Sequence, residues 1–240
     1  MKKHEFLARC SRLGDLMTND RSRKGMGETA KKYILETALF NKYGIQPKEI
    51  SNKYLEKGLI NEKEGIILAR DVLGWLDVDT EAPKVRYSND YLVGEPDVYT
   101  QYLIADIKNS YDISTFPLTA TSVPTKAYEY QLQGYMFLTN RSEAELVYTL
   151  TDTPEYIIND ELNRLVWKNS ANPRYAHLSQ NEIEELVEAR LRTSLIFSDK
   201  IPKEKRVKRF IIQRDEEIIN AIKERIEEAR IEYDKLIEII

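Results

Sequence analysis

One cysteine, Cys10, and two histidines, His4 and His177, are the only soft or borderline metal ligands of those types among 240 residues. A lone thiol excludes an internal disulfide and any zinc or iron–sulfur site built from cysteines. With so little histidine, a metal would be held by oxygen, which favours Mg2+ or Mn2+. Long apolar runs are also missing: none approaches the roughly 18 residues of a membrane span. The first residues, Met1-Lys2-Lys3-His4-Glu5, begin like a secretory leader, but no apolar core follows. A cytoplasmic protein is the expectation. The sequence contains no Walker-type Gly-rich loop ending in Gly-Lys-Ser/Thr, so no nucleotide-driven motor is encoded in it. There is no excess of positive charge either. The formal net charge of −4 argues against a protein that coats nucleic acid indiscriminately.

What remains is a globular composition, 42% hydrophobic and 32% charged, with a length that fits one ample domain. Charge is spread unevenly. Residues 1–35 hold nine basic side chains (Lys2, Lys3, Arg9, Arg12, Arg21, Arg23, Lys24, Lys31, Lys32) against four acidic ones. Residues 200–209 add Lys200, Lys203, Lys205, Arg206, Lys208 and Arg209 against Glu204 alone. Either segment suits contact with phosphates, and a solvated surface explains each equally well.

Hydrophobic spacing divides the chain into a helical N-terminal part (1–84), a sheet-containing middle (85–176) and C-terminal helices (177–240). Helices are expected over 5–18, Glu28 to Tyr43 with Gly44 closing it, Pro47 to Lys57, and Asn61 to Leu73 with Gly74 as its stop. From Val85 the segments become short, aromatic and β-branched, and strands are expected at Val85–Tyr87, Tyr91–Val93, Asp97–Tyr99 and Tyr102–Ile107. After a Ser/Thr/Pro loop come a helix from Lys126 to Leu138, a strand from Ala144 to Leu150 and a short strand at Tyr156–Ile158. Ser179-Gln180-Asn181-Glu182 reads as a capping box that opens a helix to about Phe197. In the last helix, Ile219, Ile222, Ile226, Ala229, Tyr233, Leu236 and Ile240 form a heptad-like seam, suited to packing on its own domain or on another subunit.

The chemistry concentrates in Gly94-Glu95-Pro96-Asp97 and Asp106-Ile107-Lys108. Asp106 and Lys108 are two apart in an expected strand, so they share a face. Asp97 sits on the preceding strand of the same hairpin. Two carboxylates in a sheet are costly to ionise unless a cation compensates them. The expected ligands are Asp97, Asp106 and the backbone carbonyl of Ile107, with Lys108 orienting a water or stabilising charge on phosphorus. A burial-depressed pKa would also let Lys108 act as general base. A hairpin with a satisfied Asp–Lys ion pair and no catalytic use would leave the same tripeptide.

Gly-x-Pro-Asp followed by Asp-x-Lys on the next strand resembles the PD-(D/E)XK nuclease superfamily. Downstream, Tyr128-Glu129-Tyr130-Gln131-Leu132-Gln133-Gly134-Tyr135 is similar to the Gln-x-x-x-Tyr helix of its RecB, lambda-exonuclease and YqaJ-like branch. The resemblance implies that Gln131 and Tyr135 help place the metal site and the DNA backbone; a plain core stripe through Tyr128, Leu132, Tyr135 and Met136 is the alternative. It further implies an acidic residue on a helix before the sheet. Glu62 fits best, since Gly58 precedes it and Gly74 follows it as in the lambda-exonuclease pattern; Glu64 and Glu28 are second choices, and Asp90 is a further acidic candidate. Cys10-Ser11-Arg12-Leu13-Gly14 resembles the start of phage-encoded YqaJ-like exonucleases, which makes Arg12 a phosphate anchor. Lys57 and Ser110 are added as DNA contacts.

The expected fold is therefore α/β, a restriction-endonuclease-like central mixed sheet flanked by helices, with a C-terminal helical extension, all in one nuclease domain. The resemblance implies Mg2+-dependent hydrolysis of DNA, Mn2+ being a possible substitute. Digestion of duplex ends in phage-type recombination ranks first, by a homo-oligomeric ring that could work beside a single-strand annealing protein in the host cytoplasm. A restriction- or repair-type endonuclease and a non-catalytic nucleic-acid-binding protein on the same scaffold follow in that order.

Overall fold

The computed structural model describes residues 6–22, 25–46 and 53–240. Lys2, Lys3, Arg23 and Lys24 of the basic N-terminal stretch, and residues 47–52 of the helix expected from Pro47, lie outside the described residues.

The N-terminal segment expected as one helix is instead a strand β1 (Ala8–Arg9), a 3-10 turn at Cys10–Arg12 and a one-turn helix α1 (Leu13–Leu16). Phe6, Ala8, Cys10, Leu13 and Leu16 are all buried, first at strand spacing and then at helical spacing. That change of period is what a single-helix reading averaged away. β1 pairs in parallel with β3 (Leu92–Gly94), which pairs antiparallel with β2 (Tyr87–Ser88). Helix α2 (Glu28–Tyr43) ends at Gly44, whose φ of 69° is the left-handed region where a Cβ is costly.

Helices α3 (Lys53–Ile60) and α4 (Glu62–Leu73) precede the main sheet. That sheet has the order β4 (Val98–Tyr99), β5 (Ile104–Asn109), β6 (Glu143–Thr149), β7 (Val207–Gln213). β4 and β7 run antiparallel to their neighbours, while β5 and β6 are parallel, with Asp106 opposite Leu146 and Lys108 opposite Tyr148. Parallel neighbours need a crossover; helix α5 (Lys126–Thr139) supplies it and lies on one face. Ile104, Leu146, Tyr148, Phe210 and Ile212 point to that face and join the large core with α5, α2 and α8 (Glu216–Ile239). Ala105, Ile107 and Val147 point the other way, onto Ile66 and Ala69 of α4. A mixed sheet covered by helices on both faces is the expected architecture.

Two further expectations change, and the C-terminal seam packs on its own domain, the first of its two expected uses. Tyr156–Ile158 is not a strand but the first turn of α6 (Glu155–Ser170), whose Ile158, Leu162, Leu165 and Val166 pack on α7 (Gln180–Leu195). The Tyr-Ile-Ile triplet, aromatic and β-branched, is outweighed by a helical period that becomes visible only over several turns. β7 was not anticipated. Its alternation is short, with Phe210 and Ile212 buried and Arg209, Ile211 and Gln213 exposed, and it follows a basic stretch. Cross-strand contacts from Arg209 to Glu145 (3.4 Å) and Gln213 to Glu143 (3.1 Å) complete it. Finally, Ile219, Ile222, Ile226, Ala229 and Tyr233 of the heptad-like seam are buried within this chain, against α2 and α5, so they are not available to another subunit.

No helix among the described residues is long and apolar enough to cross a membrane.

Candidate active site

A cleft of about 820 Å³ opens at the C-terminal end of β5, and Glu62, Asp97, Asp106, Ile107, Lys108, Gln131 and Tyr135 all line it. Three elements bring them there. The β4–β5 hairpin turns through Thr100, whose N–H donates to the Leu103 carbonyl at 2.8 Å, and this sets Asp97 beside Ile107. The Ile107 N–H donates to Asp97 Oδ2 at 2.7 Å. Period-two alternation then puts Asp106 and Lys108 on the α5 face, where Gln131 Nε2 donates to Asp106 Oδ1 at 2.7 Å and to the Tyr135 hydroxyl at 3.0 Å. The Tyr135 hydroxyl itself donates to the Glu95 carbonyl at 3.2 Å. Gln131 and Tyr135 are thus more than a core stripe: they fix the buried carboxylate to the Gly94–Pro96 turn. Gly94 is needed for this approach, because a Cβ there would sit 2.8 Å from the Tyr135 ring and 2.7 Å from Cys10 Sγ.

Glu62 arrives from the other wall. Asn61, almost fully buried, anchors the start of α4 by donating to Thr151 Oγ1 (2.9 Å) and the Asp152 carbonyl (2.6 Å), while its own carbonyl accepts from Asn109 Nδ2 (3.0 Å). One turn on, Gly65 lets the helix touch β5, since a Cβ there would be 2.5 Å from Asn109 Oδ1. Glu62 is therefore tied to the strand that carries Asp106 and Lys108. Glu64 and Glu28 are exposed, do not line the cleft, and Glu28 pairs locally with Lys31 at 3.0 Å. Asp90 is also away from the cleft, its backbone carbonyl held by Arg230.

Electrostatics distinguish the two walls. Asp106 is 3% exposed at its side chain, and burial pushes its pKa up to about 6, with Asp97 adding to the rise and Lys108 opposing it. Lys108 Nζ comes within 2.6 Å of Asp106 Oδ2. The approach is not along a hydrogen-bonding direction, so this buried oxygen lacks an aligned donor. Burial works against the Lys108 charge, but Asp106 and Asp97 outweigh it and raise the pKa. A depressed pKa, which a general-base lysine would require, is not found. Tyr128 lies under Lys108, its ring centre 4.6 Å from Nζ.

Opposite, Lys84 Nζ bridges Glu62 Oε1 (2.6 Å) and Asp97 Oδ1 (2.7 Å), and the two carboxylates raise its pKa despite burial. Nothing in the sequence marked Lys84, which sits in an irregular segment without periodic pattern. Among the described residues no three His, Cys, Asp or Glu side chains are grouped to hold a metal ion as they stand. Glu62, Asp97 and Asp106 line one cleft, with Glu62 and Asp97 joined through Lys84 and Asp106 paired with Lys108. The donor set still fits a hard cation: three carboxylates, all oxygen, one with a buried oxygen lacking an aligned partner.

The expected DNA contacts fare unevenly. Ser110 lines the cleft. Arg12 is held by Asp15 (2.5 Å) and Glu36 (3.2 Å) and packs on Tyr33; Arg9 and Ser11 beside it line the cleft instead. Lys57 is 0% exposed, donates to the Tyr111 carbonyl at 2.8 Å, and burial pushes its pKa down to about 8. It supports the segment after β5 from behind rather than offering charge to a phosphate.

No family model and no curated protein matches the sequence. Solved structures do. A phage-related exonuclease from Haemophilus somnus is 30% identical, with 97% of this chain and 96% of that chain covered and a TM-score of 0.71. An alkaline exonuclease from Laribacter hongkongensis shares the fold at 16% identity, covering 98% and 91% with a TM-score of 0.63. A structure of that enzyme in complex with dAMP superposes similarly, at 18% identity and a TM-score of 0.62. Near-complete coverage at 30% identity, together with the Asp97, Asp106-x-Lys108 and Gln131-x-x-x-Tyr135 constellation in one cleft, places this chain in the phage-related exonuclease family of the PD-(D/E)XK nucleases.

Proposed function

We propose that this nuclease is a divalent-cation-dependent exonuclease that removes nucleotides from the ends of duplex DNA, in phage-type recombination. The observation that carries the reading is the convergence of Glu62, Asp97, Asp106, Lys108 and Gln131 on a single cleft. Glu62, Asp97, Asp106 and the Ile107 carbonyl are the groups that would hold Mg2+ or Mn2+, which would polarise the scissile phosphate and acidify a nearby water. The remaining work belongs to the chain. Gln131 keeps the Asp106 carboxylate oriented and hydrogen-bonded to a fixed partner. Lys108, charged at neutral pH, stabilises negative charge on phosphorus and orients the attacking water. Tyr128 beneath it restricts where the ammonium can point.

Incubation of 5′- and 3′-end-labelled duplexes with Mg2+, against EDTA and Lys108→Ala controls, tests the reading. Release of one label only gives the polarity. Cutting of a closed circle at a comparable rate rejects end dependence, and undiminished activity in EDTA rejects the cation. A ring of subunits would retain DNA by topology, which suits a net charge of −4. Its interface would have to lie away from the buried α8 seam. Light scattering that gives a monomer at working concentration rejects the ring. An annealing protein is the natural partner for the single strand that such digestion leaves behind.

A further inference from the structure

Lys84 is a charged group that touches Glu62 and Asp97 and that the hydrolysis proposed above does not use. Its ammonium touches two acids from different elements, Glu62 at the start of α4 and Asp97 at the start of β4. We propose that Lys84 is a tethered counterion, occupying the position between Glu62 and Asp97 in the metal-free enzyme and leaving it when a divalent cation binds. The inference rests on reading Glu62 and Asp97 as cation ligands.

Three observations support it. The first is space. An ammonium within 2.7 Å of both carboxylates stands where a small divalent cation, about 2.0–2.1 Å from its ligand oxygens, would have to sit. The second is charge. Glu62 and Asp97 share one ammonium in a partly buried site. A divalent cation added to the intact bridge would set three positive charges against those two carboxylates, whereas departure of Lys84 leaves two against two. The third is a way out. Lys84 does not line the cleft; it reaches the bridge from a second cavity of about 690 Å³, whose wall also carries Asp77 and Asp79. Between Gly74 and β2 the chain has no helix or strand to break. The ammonium can swing into that cavity and find a carboxylate there. Two acids that would otherwise repel each other are thus held together before the cation arrives, and cation binding is made to compete with an internal charge.

The test is Mn2+ binding without DNA, by calorimetry, on the wild type, Lys84→Met, Lys84→Arg and Asp97→Asn, with urea unfolding of each in EDTA. Lys84→Met is expected to bind Mn2+ roughly tenfold or more tightly, within the usual range of coupling between competing ligands, and to unfold at lower urea in EDTA. Lys84→Arg should bind no more tightly than the wild type. If Asp97→Asn abolishes binding while Lys84→Met binds no better than the wild type, the counterion role is overturned and the metal reading stands. If Asp97→Asn binds Mn2+ like the wild type, the metal reading itself falls, and the counterion role with it. A measurement on the unaltered enzyme covers a variant that does not fold. Mn2+ should increase acylation of Lys84 by acetic anhydride, read by mass spectrometry, and unchanged labelling overturns the proposal.

Discussion

The two walls of the cleft hold their carboxylates in different ways. On the sheet wall, Asp106 is buried and fixed by Gln131, which is itself fixed by Tyr135 and, through it, by the Glu95 carbonyl. On the helix wall, Glu62 is half-buried and its described partner is the mobile end of one lysine, shared with Asp97. In the first arrangement neutral donors inside a core fix one carboxylate oxygen, while the Lys108 ammonium pairs with the other. The second is an ion bridge on a half-buried wall, in which one ammonium serves two carboxylates from different elements.

The comparison yields graded predictions. Asp106→Asn should cost the most, a loss of about a thousandfold in label release, since it removes the preorganised ligand charge; a loss under tenfold would break the distinction between the walls. Gln131→Ala should follow, at about 10- to 100-fold in activity or Mn2+ affinity, the usual effect of removing a group that orients a ligand. Activity matching the wild type would make Gln131 a packing residue.

Behind the sheet wall, Lys57 predicts an effect on stability. Its pKa is about 8 when folded and 10.5 when unhindered. Between those values the unfolded chain holds the extra proton, so stability rises with pH; the contribution is complete above 10.5 and lost as pH falls through 8. The gain over that window is about 3 kcal/mol. Urea unfolding of Lys57→Met should show a flatter rise over the same window, and an unchanged slope would mean that the buried amine is already compensated. The smallest effect is expected at the rejected acids. Glu28→Ala and Asp90→Ala should leave digestion within about twofold of the wild type, as substitutions away from a site usually do. A loss comparable to that of Glu62→Ala would reopen the choice of the helix carboxylate.

Most of the site was legible because it is local. Asp106 and Lys108 are two apart in one strand and Gln131 and Tyr135 one helical turn apart, so spacing put each pair on a common face, with Asp97 in the same hairpin. Glu62 was accessible only through the resemblance to the lambda-exonuclease pattern, in which flanking glycines stand where Gly58 and Gly74 do. The fold was legible where a period ran long enough, as in α2, α4, α5, α7 and α8. It was not where a short segment changed period, as at β1 and α1, or where the first turn of a helix carried aromatic and β-branched residues, as in α6.

Spacing along the chain was enough to determine which residues share a strand face or a helix face, and hence the pair Asp106–Lys108 and the pair Gln131–Tyr135. Only the tertiary structure decided which faces meet: Gln131 on Asp106, Lys84 between Glu62 and Asp97, Lys57 sealed behind Tyr111, and the α8 seam turned inward. Face membership follows from backbone geometry over a few residues. Which charge ends opposite which depends on how distant elements pack, and neighbouring residues carry no record of that.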